Sequence, residues 1–110
     1  MTAEDRDSVL LACCGKETIA FCLNKYDDGV IWLSWFGVAE NWRGNGVGAM
    51  LLKELEKTVA VRDCHKIWCD TRVSNRISQR VLQKAGYERI CKLKRHWYGQ
   101  DFYLWQKFID

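Results

Sequence analysis

The 110-residue chain carries 17 Lys and Arg against 14 Asp and Glu, a formal net charge of +3, with 8 glycines and no proline. That length suits one compact domain over residues 1–110, no run approaches the roughly 20 apolar residues of a membrane span, and residues 1–8 are too polar and acidic for a signal peptide, so a soluble cytoplasmic protein with no membrane partner is expected. The modest charge comes with no nucleic-acid signature, and there is no repeat, low-complexity tract or linker.

Three extended apolar runs come first, over residues 8–14, 18–26 and 29–38. Their connections, Gly15-Lys16-Glu17 and Asp27-Asp28-Gly29, have hairpin length and hairpin residues, which predicts an antiparallel meander. Trp32 and Trp35 have opposite parity on the third run and point to opposite faces unless a bulge intervenes. The turn Arg43-Gly44-Asn45-Gly46-Val47-Gly48 leads into a helix, where Val47, Leu51, Leu55 and Val59 recur every fourth residue with Gly48 and Leu52 beside them. Lys53, Glu54, Glu56 and Lys57 fill the opposite side. Residues 66–71 form a short β-rich run. Asn75 then caps a second helix through Ala85, and Gly86 stands where helices end in left-handed backbone. Residues 87–97 and 102–108 close the chain as two strands joined across Tyr98-Gly99-Gln100-Asp101. The order is βββαβαββ.

Cys13, Cys14, Cys22, Cys69 and Cys91 fall within strand patterns and are expected as small apolar fillers. Cys64 and His65 are neighbours, but without a Cys-x-x-Cys or paired-histidine spacing no metal is expected. Of the six tryptophans, Trp32, Trp35, Trp42, Trp68, Trp97 and Trp105, most are expected in the core, because an indole buries a large area where its N–H finds an acceptor.

The glycine turn carries the chemistry. Glycines let the backbone curl tightly, and the following helix offers unpaired N–H groups and the positive end of its dipole, which is the physics of a pyrophosphate seat. Arg43 adds a forked, permanent cation. One alternative is a tight connection that binds nothing. Another is the dinucleotide pattern G-x-G-x-x-A at Gly44, Gly46 and Ala49, with Asp70 about 20 residues on as the ribose ligand. The third is R-x-x-G-x-G at Arg43, Gly46 and Gly48. A meander feeding the turn is the wrong lead-in for a dinucleotide fold, which places its glycines after the first strand.

In R-x-x-G-x-G, in the order of elements, and in Asn75, Gly86 and Tyr87, which match an asparagine, glycine and aromatic bracketing the second helix, the chain resembles the GNAT superfamily of N-acetyltransferases. The resemblance covers nearly the whole chain. It implies an α/β (α+β) fold with a mixed, mostly antiparallel sheet of about six strands and two flanking helices. It also implies acetyl-CoA as cosubstrate and transfer of its acetyl group to a primary amine, a peptide or protein amine among the candidates. On this resemblance Phe36 and Val38 serve the pantetheine arm, the amides of Gly44, Asn45, Gly46, Val47, Gly48 and Ala49 hold the pyrophosphate with Arg43, and Asn75 steadies the coenzyme.

Two departures stand out. The superfamily's helix tyrosine, which protonates the departing thiolate, falls at Leu82, and leucine has no proton to give. Tyr98, with Tyr87 behind it, is the substitute, and Glu40, Asp70 and Asp101 are the candidate bases, Glu40 first. A coenzyme-binding regulator without transfer is the alternative function. The strand and helices that ordinarily open the fold have no counterpart here, which leaves a sheet edge and face for a second subunit to cover, so a homodimer is expected.

Overall fold

The computed structural model describes residues 7–109, with side chains for all of these except 7, 8 and 59–61. The polar start at residues 1–6 and the Val59 side chain on the expected apolar stripe lie outside the described residues. The elements are β1 (Asp7–Cys14), β2 (Glu17–Asp27), β3 (Val30–Val38), a 3-10 turn (Glu40–Trp42), α1 (Val47–Val61), β4 (Lys66–Arg72), α2 (Arg76–Lys84), β5 (Glu88–Trp97) and β6 (Gln100–Phe108). This is the βββαβαββ order that the turn residues and apolar periodicities predict. One six-stranded sheet runs β1-β2-β3-β4-β6-β5, antiparallel throughout except between β3 and β4.

Two hairpin links set its register. Asp28 (φ 47°) and Gly29 (φ 85°) join β2 to β3 with both residues left-handed, as a type I′ turn requires. Tyr98 (φ 53°) and Gly99 (φ 68°) do the same between β5 and β6, so the closing link is shorter than the sequence suggests and β6 begins at Gln100. In α2 the Asn75 side chain accepts the Ser78 N–H at 3.1 Å, the cap expected from its position. At the far end the Tyr87 N–H reaches Leu82 O and the Gly86 N–H reaches Gln83 O, with Gly86 at φ 90°. That is a Schellman closure, in which the left-handed residue turns the chain out into β5.

Both helices lie on one face of the sheet. Leu51, Leu52 and Leu55 of α1 are buried there with Cys22, Ile31 and Ile67, each large side chain contributing about 1.5–3 kcal/mol of burial. Trp105 is wholly buried on the same face and donates its indole N–H to Thr71 Oγ1 at 2.9 Å, so the ring enters the core with its polar atom satisfied. Lys107 ties the layer together, its ammonium donating to Ala85 O at the end of α2 and pairing with Glu56 on α1.

Among the described residues no helix covers the other face, and this corrects two expectations. Of the six tryptophans only Trp105 is buried, because Trp32, Trp35 and Trp68 stand on the face without helices; Trp35 is 62% exposed. A bulge sets Leu23 opposite Trp35 and Asn24 opposite Leu33, leaving Ser34 over, so Trp32 and Trp35 share that face despite their opposite parity. Cys13, Cys14 and Cys91 are exposed rather than packed, since β1 and β5 are the edge strands, while Cys22 and Cys69 are buried as expected.

Gly86→Ala isolates a backbone cost, because its added Cβ would meet only the Lys107 side chain, at an ordinary 3.5 Å. Left-handed backbone should cost this variant about 1–2 kcal/mol, read as a lower urea midpoint at unchanged slope.

Candidate functional site

β3 and β4 pair in parallel only from Val30↔Lys66 to Leu33↔Cys69. Beyond the Ser34 bulge they part, β3 running on to Val38 and β4 to Arg72. The edge of β3 from Trp35 onward has no partner strand on that side among the described residues. Phe36 and Val38 lie opposite the buried Cys22 and Ala20, which puts both on the helix side of this gap.

The glycine turn closes one end of the gap. Gly44 (φ 82°) and Gly46 (φ 75°) are left-handed, and a Cβ on either would meet nothing within 4 Å, so the bend is open to an approaching ligand. The first helical bond runs from the Met50 N–H to Gly46 O at 3.0 Å. The amides from Gly46 to Ala49 therefore precede any carbonyl that the helix can offer them, and they sit at the positive end of α1. Arg43 donates through Nε to Val38 O at 3.1 Å, which fastens the turn to the end of β3 and leaves the terminal guanidinium nitrogens for an anion. Asn45 donates to Trp42 O at 3.4 Å and shapes the turn. Gly48 answers to packing: an added Cβ would stand 3.1 Å from Phe36 and 3.6 Å from Val81. Val47 is buried in the core. The cavity in front of these groups measures about 450 Å³, and Trp42, Ala49, Val81 and Lys84 are among its walls.

A second cavity of about 520 Å³ fills the other end of the gap, between Trp35 on β3, Asp70 and Arg72 on β4, Leu82 on α2, and Trp97, Tyr98 and Phe102 around the last hairpin. Phe36, Asn75 and Ser78 line both cavities, so the two form one cleft. Asp70 is its recessed carboxylate, with a side chain 10% exposed. Trp97 Nε1–H donates to Asp70 Oδ2 at 2.9 Å. His96 Nε2 lies 3.2 Å from the same oxygen, near enough to be a charge contact yet without the alignment of a hydrogen bond.

The other candidate acids and bases are scattered. Glu40 is exposed in the 3-10 turn and lines neither cavity, and Asp101 is engaged with β5. Tyr87 is buried away from both cavities, and burial pushes its hydroxyl pKa up. Tyr98, 80% exposed, stands at the rim of the second cavity. Cys69 also lines that cavity, but burial first and the Asp70 charge second push its thiol up, so it stays protonated and is a poor acyl acceptor. Ser78, Val81 and Lys84 were not anticipated as lining residues. Their three-residue steps on from Asn75 and Ser78 mark one stripe of α2, and that spacing is the signal that would have found them.

The Acetyltransferase (GNAT) family model matches residues 2–87. Among solved structures, the ribosomal-protein-S18-alanine N-acetyltransferase from Escherichia coli superposes with a TM-score of 0.87 at 16% identity, covering 96% of this chain and 71% of that one. The ribosomal-protein-alanine N-acetyltransferase from Brucella melitensis gives 0.83 at 24% identity, over 96% and 70%. An aminoglycoside 6'-N-acetyltransferase complexed with coenzyme A gives 0.82 at 18%, over 96% and 74%. No curated protein matches by sequence.

Proposed function

Since the chain belongs to the acetyltransferase (GNAT) family, we propose that it is an acetyl-CoA-dependent N-acetyltransferase whose acceptor is a primary amine. The observation that carries this reading is the cleft: an open glycine bend and the first amides of α1 at one end, a recessed carboxylate at the other, and Phe36, Asn75 and Ser78 common to both. A thioester placed at that junction has its phosphates on the α1 amides and its acyl carbon facing Asp70. The similar structures include enzymes named for a ribosomal protein and for aminoglycosides, so the acceptor is assigned as an amine, with peptide amines included.

In this reading Asp70, rather than the exposed Glu40, takes the proton from the acceptor ammonium. The neutral amine attacks the thioester carbon, and a main-chain N–H on the unpaired edge of β3 supports the oxyanion. The carbon–sulfur bond then breaks, and coenzyme A leaves as thiolate. Tyr98 delivers a proton to it, directly or through water, in place of the hydroxyl that Leu82 lacks. The alternative, a regulator that binds acetyl-CoA without transferring from it, is favoured by the buried Leu82 at that position. A thiol-release assay over an amine panel separates the two readings.

We assign a homodimer on the sheet face without helices, where Val9 (59%) and Leu11 (54%) on the edge strand β1 and Trp35 (62%) on β3 are exposed. A cytoplasmic location accords with six unpaired cysteines, three of them exposed, which suit a reducing compartment. Among the described residues no helix is long and apolar enough to cross a membrane.

Gly46→Arg fills the open side of the bend and should abolish acetyl-CoA binding in calorimetry; an unchanged affinity refutes the seat. Asp70→Asn keeps an acceptor for Trp97 but no base, and kcat is expected to fall about 10²-fold with coenzyme affinity kept. Sedimentation should give twice the chain mass at micromolar concentration, and a stable monomer there would contradict the dimer.

A further inference from the structure

Successive residues of a regular strand point to opposite faces, yet His96 and Trp97 both reach Asp70 Oδ2, at 3.2 and 2.9 Å. A bulge in β5 makes this possible. Between the pairs Leu93↔Phe102 and Trp97↔Gln100, residues 94–96 stand against Asp101 alone. Arg95 is left-handed there (φ 48°), an unusual conformation for a residue with a side chain. Asp101 holds it in place: one carboxylate oxygen accepts the Arg95 N–H at 3.1 Å and the other lies 3.7 Å from Lys92 Nζ. The His96 ring meets Trp97 and Phe102 edge to face, with centroids 4.7 and 5.6 Å away. Bulges that redirect side chains, and left-handed residues other than glycine, concentrate beside functional sites.

The exposures give the arrangement a direction. Asp70 is 10% exposed and His96 29%, so the imidazole is a step between the recessed carboxylate and water. Its Nε2 is buried, without an aligned partner, and one short rotation from Asp70.

We propose that His96 carries the acceptor's proton away from Asp70, an assignment that rests on the transfer reading given above. The ammonium gives its proton to the Asp70 carboxylate and becomes the attacking amine. The carboxylic acid passes that proton to the lone pair of His96 Nε2, forming imidazolium and restoring the carboxylate. The ring then turns toward water, gives up the Nε2 proton to solvent and returns with that lone pair free. His96 never touches the acceptor; it acts through Asp70, and Asp101 positions it. The titratable and charged groups on the surrounding elements are Asp70 and Arg72 on β4, Lys92, Lys94 and Arg95 on β5, Tyr98 in the turn and Asp101 on β6.

The test uses the full chain with saturating acetyl-CoA and an amine that the parent acetylates. His96→Gln offers a polar group of similar reach that cannot take up a proton, and its kcat should fall about 10²-fold. His96→Ala should lose as much and regain activity with added imidazole, which leaves the parent unchanged. Asp101→Ala keeps the imidazole but frees the bulge, so it should lose activity without rescue. Coenzyme affinity within about twofold of the parent in each variant shows that the fold and the seat are intact. A His96→Gln enzyme as fast as the parent, or a His96→Ala enzyme that imidazole does not restore, overturns the proposal. A parent that binds acetyl-CoA but acetylates no amine overturns the transfer reading along with it, whereas an active parent whose variants keep its rate overturns this proposal alone.

Discussion

The cleft exists because β3 and β4 stop hydrogen-bonding to each other after Leu33 and Cys69. A parallel pair running its full length would have consumed the β3 edge and closed the sheet over the volume that both cavities occupy. The extra residue at Ser34 falls just where that pairing stops. It bends β3 and carries Phe36 and Val38 to the helix side, where the glycine turn receives the chain. The main chain thus leaves hydrogen-bonding groups unused at two adjacent places, a strand edge and a helix start. Buried backbone groups are costly without partners, so such a gap persists where water or a ligand supplies them.

The two ends of the cleft are built from different materials. The end at the glycine turn, the proposed coenzyme seat, is made of amides, open bends and one arginine, and these depend on backbone conformation more than on side-chain identity. The other end, the proposed acceptor site, is made of side chains brought together from β3, β4, α2 and the last hairpin. Its lone recessed carboxylate is aimed by an indole, and that indole by a bulge in the neighbouring strand.

That difference accounts for what was legible in the sequence. The helices, the hairpins, the Asn75 cap and the Gly86 ending are local, each fixed by residues within a few positions of one another, and they appear where their spacing places them, apart from the tighter last turn. The glycine turn was legible for the same reason. Asp70 could be named as a candidate but not preferred over Glu40, because its distinction is the company of Trp97, 27 positions on in the chain. The bulges at Ser34 and at residues 94–96 left no mark in composition or periodicity. The expectation that most tryptophans are core failed at the level of layers: periodicity shows which residues share a face, not whether anything covers it.

Trp35 connects the bare face to the chemistry. It belongs to the uncovered side of the sheet and also lines the acceptor cavity. Whatever covers that face therefore borders the proposed acceptor cavity. A second copy of the chain seated there would bury apolar surface that a domain of this size can ill leave in water, and would supply a wall of the acceptor cavity that the described residues leave open. Stability and acceptor choice would then depend on the same contact, and a substitution on β1 or at Trp35 would act on both together, while the proposed phosphate seat on the far side of the cleft would draw on one chain alone.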